Sequence, residues 1–411
     1  MILTAVTKFG DIFNGTVARL LADLGWRPEM IGYGGIGSLE RVRVIGRALM
    51  SPTPFEEKFE AWAKNTGVPT LRDLTTAAER VGTPGVDVLK EAIGEDDAEP
   101  DAPTSTTTRG ERGWRQFIDA QIPFQPVLVR VGGRRKLVYA DRGGYVDIVI
   151  HRHGLSPGWH IATLQALDSR ALARGERRVR ASRPVSVPVR IIAEAETHGV
   201  VSDVDDTVMI SWLPRPVVAA KNAFFTYVSS RQAVPGMARF LNRLSVDYGI
   251  RAARGASTEH PRTATVYLST GAWNVAPGLR RFLARGEFPT GTPLFTDWGP
   301  SQTGWFRSGP EHKRSQLRRL ARELPWVEWF LVGDDGQNDP ELYSEFAAEY
   351  PENVAAICIR TLTPAEQVLS HGLDITEALE QRMAAVPDSI PIIVGEDGHA
   401  LTREARRAGL L

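Results

Sequence analysis

Residues 200–210 read Val200-Val201-Ser202-Asp203-Val204-Asp205-Asp206-Thr207-Val208-Met209-Ile210. A short apolar run stops at two carboxylates one residue apart, Asp203 and Asp205, with Thr207 two positions further on. Such a run reads as a buried strand, and its end sets Asp203 and Asp205 side by side at the mouth of a sheet. Paired carboxylates there supply a nucleophile and a proton donor. They suit phosphoryl transfer through an aspartyl-phosphate, with a hard cation such as Mg²⁺ held between carboxylate and phosphate oxygens.

Outward from that stretch, residues 197–370 alternate strand-like and helix-like runs, the pattern of a parallel sheet with helices on both faces. Ligand sites in such sheets lie beyond the carboxyl ends of the strands, so the polar residues that follow each apolar run matter most. Ser269 and Thr270 follow Thr265-Val266-Tyr267-Leu268, and their hydroxyls can donate to a phosphate oxygen. Gly333-Asp334-Asp335-Gly336-Gln337-Asn338-Asp339 follows Trp329-Phe330-Leu331-Val332. Just before that strand a helix opens at Glu311-His312-Lys313, whose ammonium can neutralise a transferring phosphoryl group. Each signal alone is weak. Their order along the chain, at successive strand ends, is hard to obtain from loop-capping residues.

These four motifs resemble those of the haloacid-dehalogenase superfamily, at Asp203/Asp205, Ser269, Lys313 and Asp334/Asp339. Within it the chain is similar to the bacterial members of the Mg²⁺-dependent phosphatidate phosphatase family first associated with actin patches in fungi. The resemblance rests on Val201–Val208, Leu294-Phe295-Thr296-Asp297-Trp298-Gly299, Gly333–Glu341 and Ile357-Cys358-Ile359-Arg360, and covers about residues 197–365. Fungal members tend to carry Ser-Asn-Ser-Pro-Trp at the second motif. Here Ser269-Thr270-Gly271-Ala272-Trp273 keeps the hydroxyl and the Trp, so the likeness bears more on reaction type than on substrate.

The resemblance implies roles residue by residue. Asp203 attacks phosphorus, and Asp205 protonates the leaving alkoxide and later activates water. Thr207, Ser269, Thr270 and Lys313 serve the substrate phosphate, with Thr207 also shaping the turn. Asp203, Asp205 (through its carbonyl), Asp334 and Asp339 hold Mg²⁺. Asp206 and Asp335 take solvated or hydrogen-bonding roles. The implied substrate is phosphatidate at a membrane surface, giving diacylglycerol and phosphate.

Composition sets bounds. The chain has 411 residues, 42% hydrophobic and 24% charged, with 49 basic and 49 acidic residues, which is ordinary for a globular protein and argues for no polyanionic partner. No nucleic-acid module is apparent. The lone Cys358 excludes an intramolecular disulfide and a cysteine zinc site, and its setting reads as an inert core thiol. His151 and His153 lack a third ligand nearby and make no metal site. No signal peptide or membrane span is recognised, so the expected location is cytoplasmic, with peripheral contact to the membrane. Oligomeric state is not legible.

The expected organisation is an N-terminal helix over 1–28, a β-sandwich-like domain over 29–196, a Rossmann-like phosphatase domain with small or no cap over 197–385, and a C-terminal segment over 386–411. The β-rich part is inferred from short alternating runs at 40–47, 127–131, 136–140, 144–150, 159–164 and 185–192, separated by turn residues. A helical insertion and a polar Thr-rich linker occupy about 53–112. Gly32-Tyr33-Gly34-Gly35-Ile36-Gly37 fits Gly-x-Gly-x-x-Gly but lacks the strand before it and the helix after it that a dinucleotide site needs, so it is read as a glycine turn.

The interval 208–233 is short for a full cap domain, which suits a phosphate carried on something large. Trp212–Pro216, Phe224–Tyr227, Trp298, Trp305, Phe306 and Arg307 either pack a short flap or meet a bilayer, and Arg174–Arg183 is either a solvated loop or an anionic-lipid contact. Two other readings stay open: a phosphatase for a soluble or protein-borne phosphomonoester, and a non-catalytic lipid- or protein-binding module.

Overall fold

The computed structural model describes residues 27–51, 122–176, 179–210, 232–246, 263–296, 309–336, 338–363 and 379–411. The expected N-terminal helix up to residue 26, the helical insertion, the linker and the aromatic flap segments lie outside these residues, while Arg27 and Pro28, given to that helix, begin a strand instead.

The described chain is a mixed α/β structure with two sheets. The first contains β1 (Arg27–Ser38), β2 (Arg41–Ser51), β3 (Pro126–Val131), β4 (Arg134–Tyr139), β5 (Tyr145–His151), β6 (Gly158–Ala166) and β7 (Val185–Ile192) in the order β4-β3-β6-β7-β1-β2-β5. A short helix, α1 (Ser169–Ala173), lies between β6 and β7. The two edge strands, β4 and β5, follow each other in sequence through a link at Ala140–Gly144. Seven flat strands would span about 29 Å edge to edge, whereas so short a link reaches about 20 Å. The sheet therefore has to curl. Its inner face is filled by Val42, Val44, Val127, Val129, Leu164 and Val187 with their neighbours, all in one buried cluster.

The glycine-rich stretch is no turn. It lies inside β1, pairing antiparallel with β2 and parallel with β7, with a bulge between Gly32 and Gly34. Glycine is required because both neighbours press close: a Cβ on Gly35 would stand 2.3 Å from the Arg43 carbonyl oxygen and 2.6 Å from Val189 Cγ1.

The second sheet has the order β10-β9-β8-β11-β12-β13, all pairs parallel. Its strands are β8 (His198–Ser202), β9 (Ala264–Ala272), β10 (Thr292–Thr296), β11 (Glu328–Asp334), β12 (Val354–Arg360) and β13 (Ile392–Gly395). The helices among them are α2 (Met237–Leu244), α3 (Ala276–Arg285), α4 (Gly309–Glu323), α5 (Asp339–Glu349), α6 (Leu379–Arg382) and α7 (Gly398–Arg407). The segment 386–411, set apart in the sequence reading, supplies the edge strand β13, and α7 packs on β13 and α2. The order of strands reverses between β8 and β11, which opens a crevice beyond their carboxyl ends.

The two sheets share a core. Tyr33, Ile36, Ile45, Tyr145 and Ile192 of the first sheet are buried with the strands and helices of the second. Tyr33 stacks on Trp273 with centroids 4.8 Å apart, just past β9. Arg43 forks to both Asp147 oxygens at 2.7 Å and also donates to Gln316 Oε1 on α4 at 2.7 Å. His153 is buried between the Ser38 carbonyl and the Leu155 amide, which accounts for it without a metal.

Candidate active site

Two adjacent parallel strands end at the crevice, and each delivers a carboxylate. Asp203 follows β8, its amide donating to the Val332 carbonyl of β11 at 2.8 Å, and Asp334 is the last residue of β11. Asp339 opens α5 five residues later and turns back beneath β11. Gly333 makes room for it, since a Cβ there would lie 2.5 Å from Asp339 Oδ2. Asp203, Asp334 and Asp339 are all buried, and each offers a carboxylate oxygen within 4.8 Å of the other two.

Lys313 reaches this trio from α4. The buried stripe of that helix is His312, Lys313, Gln316, Leu317, Leu320 and Ala321, the three-to-four spacing of a core-facing helix. The stripe that seats the helix thus aims its one lysine inward. Lys313 Nζ donates to Asp203 Oδ1 at 2.6 Å and to Asp339 Oδ1 at 2.5 Å. Burial alone would lower its pKa, but Asp203 and Asp339 outweigh that and hold it above the ordinary lysine range. It stays an ammonium.

The carboxylates carry more negative charge than one lysine answers. Burial, opposed by Lys313 and reinforced by Asp339 and Asp205, pushes Asp203 up to about 8. Burial together with Asp339, Asp203 and Asp206 also raises Asp334. Among the described residues, Asp203 Oδ2 and Asp339 Oδ2 are buried and accept no hydrogen bond. Leaving a buried anionic oxygen unanswered costs more than the roughly 1–3 kcal/mol of a neutral group. With all three carboxyls ionised, the trio and its one ammonium carry two formal negative charges. A hard divalent cation with oxygen ligands fits that deficit and those two oxygens.

The remaining residues named from sequence are placed as follows. Asp205 stands half-buried outside the trio, where Ser269 Oγ donates to its Oδ2 at 3.3 Å. Ser269 Oγ accepts from the Gly271 amide at 2.9 Å, within the last residues of β9. Thr270 contributes its carbonyl to Thr296 Oγ1 at 2.9 Å. Thr207 is fully buried and gives its hydroxyl to Asp334 Oδ2 at 3.3 Å, while the Gly336 amide donates to Asp334 Oδ1 at 2.8 Å. Thr207 thereby orients Asp334. Asp206 takes a positive φ of 58° in the turn after β8, and Asp335 Oδ1 accepts from the Leu362 amide at 2.8 Å.

Sequence reasoning gave no role to two arginines beneath these loops. Arg360, buried at the end of β12, donates to the Asp206 carbonyl at 2.7 Å and the Glu396 carbonyl at 3.1 Å. Its own carbonyl accepts from the Asp335 amide at 2.9 Å. Arg382 of α6 donates to the Asp335 carbonyl at 2.7 Å and pairs with Glu341. The available signal for Arg360 was its place at the end of an apolar run, Val354–Ile359, beside the acidic loop; nothing local marks Arg382.

Residues 198–361 match the family model of the catalytic domain of the phosphatidate phosphatase APP1. The matched span begins at β8 and ends just after β12, so it contains every member of the carboxylate–lysine cluster. An uncharacterized protein of Schizosaccharomyces pombe is 29% identical over 99 residues, which is 24% of this chain and 16% of that protein. A solved carbohydrate acetylesterase from Xanthomonas citri overlaps 69% of this chain and 68% of its own at 12% identity and a TM-score of 0.23, too slight a likeness to carry any argument.

Proposed function

We propose that this chain is a phosphatase that hydrolyses phosphatidate to diacylglycerol and phosphate through an aspartyl-phosphate on Asp203, with Mg²⁺ as cofactor. The observation that carries the reading is the convergence of Asp203, Asp334, Asp339 and Lys313 at the crevice between β8 and β11. The all-parallel sheet, with its strand order reversing there, supports a Rossmann-like domain of the haloacid-dehalogenase kind. The match to a phosphatidate phosphatase family favours the lipid substrate.

In this mechanism the Asp203 carboxylate attacks phosphorus, and the bond to the alkoxide breaks in line. Asp205, half-buried at the mouth, gives its proton to the departing alkoxide and then takes one from the water that attacks the phospho-aspartate. Phosphate leaves and the Asp203 carboxylate is restored. Lys313, tied to Asp203 Oδ1, orients the nucleophile and offsets charge on the phosphoryl oxygens. Ser269, in contact with Asp205, binds a phosphate oxygen at the same rim. Asp203, Asp334 and Asp339 are the residues that would hold Mg²⁺. When bound, the ion neutralises charge developing on the phosphoryl group.

The test is phosphate release, with and without Mg²⁺, from phosphatidate in detergent micelles and from a panel of water-soluble monoesters. Mg²⁺-dependent release from phosphatidate that is lost in Asp203→Asn and Asp205→Asn is the expected result. Faster turnover of the soluble esters would move the substrate elsewhere. Full turnover by Asp203→Asn would sink the covalent mechanism.

A further inference from the structure

The outer face of the curled first sheet has two unlike halves. The half made by β1, β2 and β5 is covered by the phosphatase core. Among the described residues the half made by β4, β3 and β6 is open, and it is both apolar and cationic. Strand alternation sets its composition: Val127, Val129, Ala162 and Leu164 point into the inner core, so their neighbours point outward. Register then lines these up in rows. Leu128 lies opposite Leu137 and Gln165, and Arg130 lies opposite Arg135 and Thr163. Ile161 and Trp159 continue the same face along β6. Tyr139 is 63% exposed, Ile161 58%, Leu137 42% and Trp159 41%.

Edge strands often carry charges that discourage pairing with another chain, which would explain the basic residues of β4 taken alone. It does not explain four large apolar side chains left in water beside them. Nor does it explain Arg130 directly opposite Arg135, because like charges across a strand pair are destabilising and neither forms an ion pair among the described residues. The local charge is lopsided as well. Residues 122–192 hold thirteen Arg and Lys against four Asp and Glu, in a chain whose total is balanced.

We infer that this face, Tyr139, Leu137, Arg135, Arg130, Ile161 and Trp159, docks the enzyme on an anionic lipid bilayer. Arginines meet the acidic headgroups, and the aromatic and aliphatic side chains enter the interfacial region beside them. The inference deepens the phosphatidate reading and takes its purpose from it, but the surface stands apart from the catalytic cluster and is tested without turnover.

The experiment is sedimentation of the full chain, in the Asp203→Asn background, with vesicles of phosphatidylcholine alone or mixed with phosphatidylserine. Phosphatidylserine is a phosphodiester, so the catalytic site has no substrate in these vesicles. The expected result is binding to the mixed vesicles only, weakened by salt. Arg130→Gln with Arg135→Gln should weaken it about thirtyfold, as two surface cations are lost. Ile161→Ser with Trp159→Ser should also weaken it. In the chain with Asp203 intact, both pairs of substitutions should leave turnover of a water-soluble monoester unchanged, which shows that the variants fold. Failure of the parent chain to bind mixed vesicles, equal binding to neutral ones, or unchanged binding by the folded variants would overturn the inference. So would a dimer dissolved by Ile161→Ser in a chain that ignores vesicles, since the face would then belong to a second copy. None of these outcomes touches the phosphatidate proposal, which stands or falls on phosphate release.

Discussion

Lys313 answers two buried carboxylates at once, so its loss strikes both stability and chemistry. Lys313→Met keeps the volume and removes the charge, leaving Asp203 and Asp339 buried without their cation. Urea unfolding in the presence of a chelator should show a loss of roughly 3–5 kcal/mol, partly recovered on adding Mg²⁺. A variant as stable as the parent under chelation would mean that the trio is not charged when the ion is absent. Arg360 acts at one remove, tying the turn after β8 to the end of β13 while its carbonyl holds the Asp335 amide. Arg360 meets the two carbonyls with separate nitrogens of a planar fork, and Arg360→Lys replaces that fork with a single compact ammonium, so turnover should fall about 10–100-fold with KM for the substrate little changed. Equal turnover in Arg360→Lys would reduce that arginine to ordinary core packing.

At the scale of elements, Gly333 is the tightest point in the site, because the β11 backbone and the start of α5 meet there. Gly333→Ala pushes a methyl into Asp339 and displaces one of the three carboxylates. Mg²⁺ should then be needed at about 10–100-fold higher concentration for half-maximal phosphate release, with the far-ultraviolet dichroism unchanged. An unaltered Mg²⁺ dependence would remove Asp339 from the ion's surroundings. The same elements show what could be read beforehand. Asp203, Ser269 and Asp334 were legible because a parallel strand is a nearly pure apolar run, and the residue that ends it is conspicuous. The stripe of α4 was legible for the same reason at helical spacing. Gly32–Gly37 was not, because clustered glycines signal a turn locally, whereas here they admit two neighbouring strands at close range. β13 escaped because an edge strand with Ile392 and Val394 exposed lacks the apolar density of a buried one. Arg382 comes from far along the chain, and no local pattern announces a partner at that distance.

For the whole molecule, residues of both sheets are buried in one cluster, so the two sheets should unfold together. Tyr33 is buried against Trp273, which closes the segment that begins with Ser269, so the curled sheet braces one wall of the site. Tyr33→Ala opens a cavity in that shared core and should cost about 3 kcal/mol. A single unfolding transition shifted for both halves is the expected observation by calorimetric scanning. Two separable transitions, with only the first sheet affected, would show independent domains. In the proposed site, buried acids from distant stretches of chain share one divalent ion. Isothermal titration of the chelator-treated protein with Mg²⁺ tests that most directly. It should give one site per chain in the parent and none in Asp334→Asn; no binding by the parent, or undiminished binding by the variant, would contradict it.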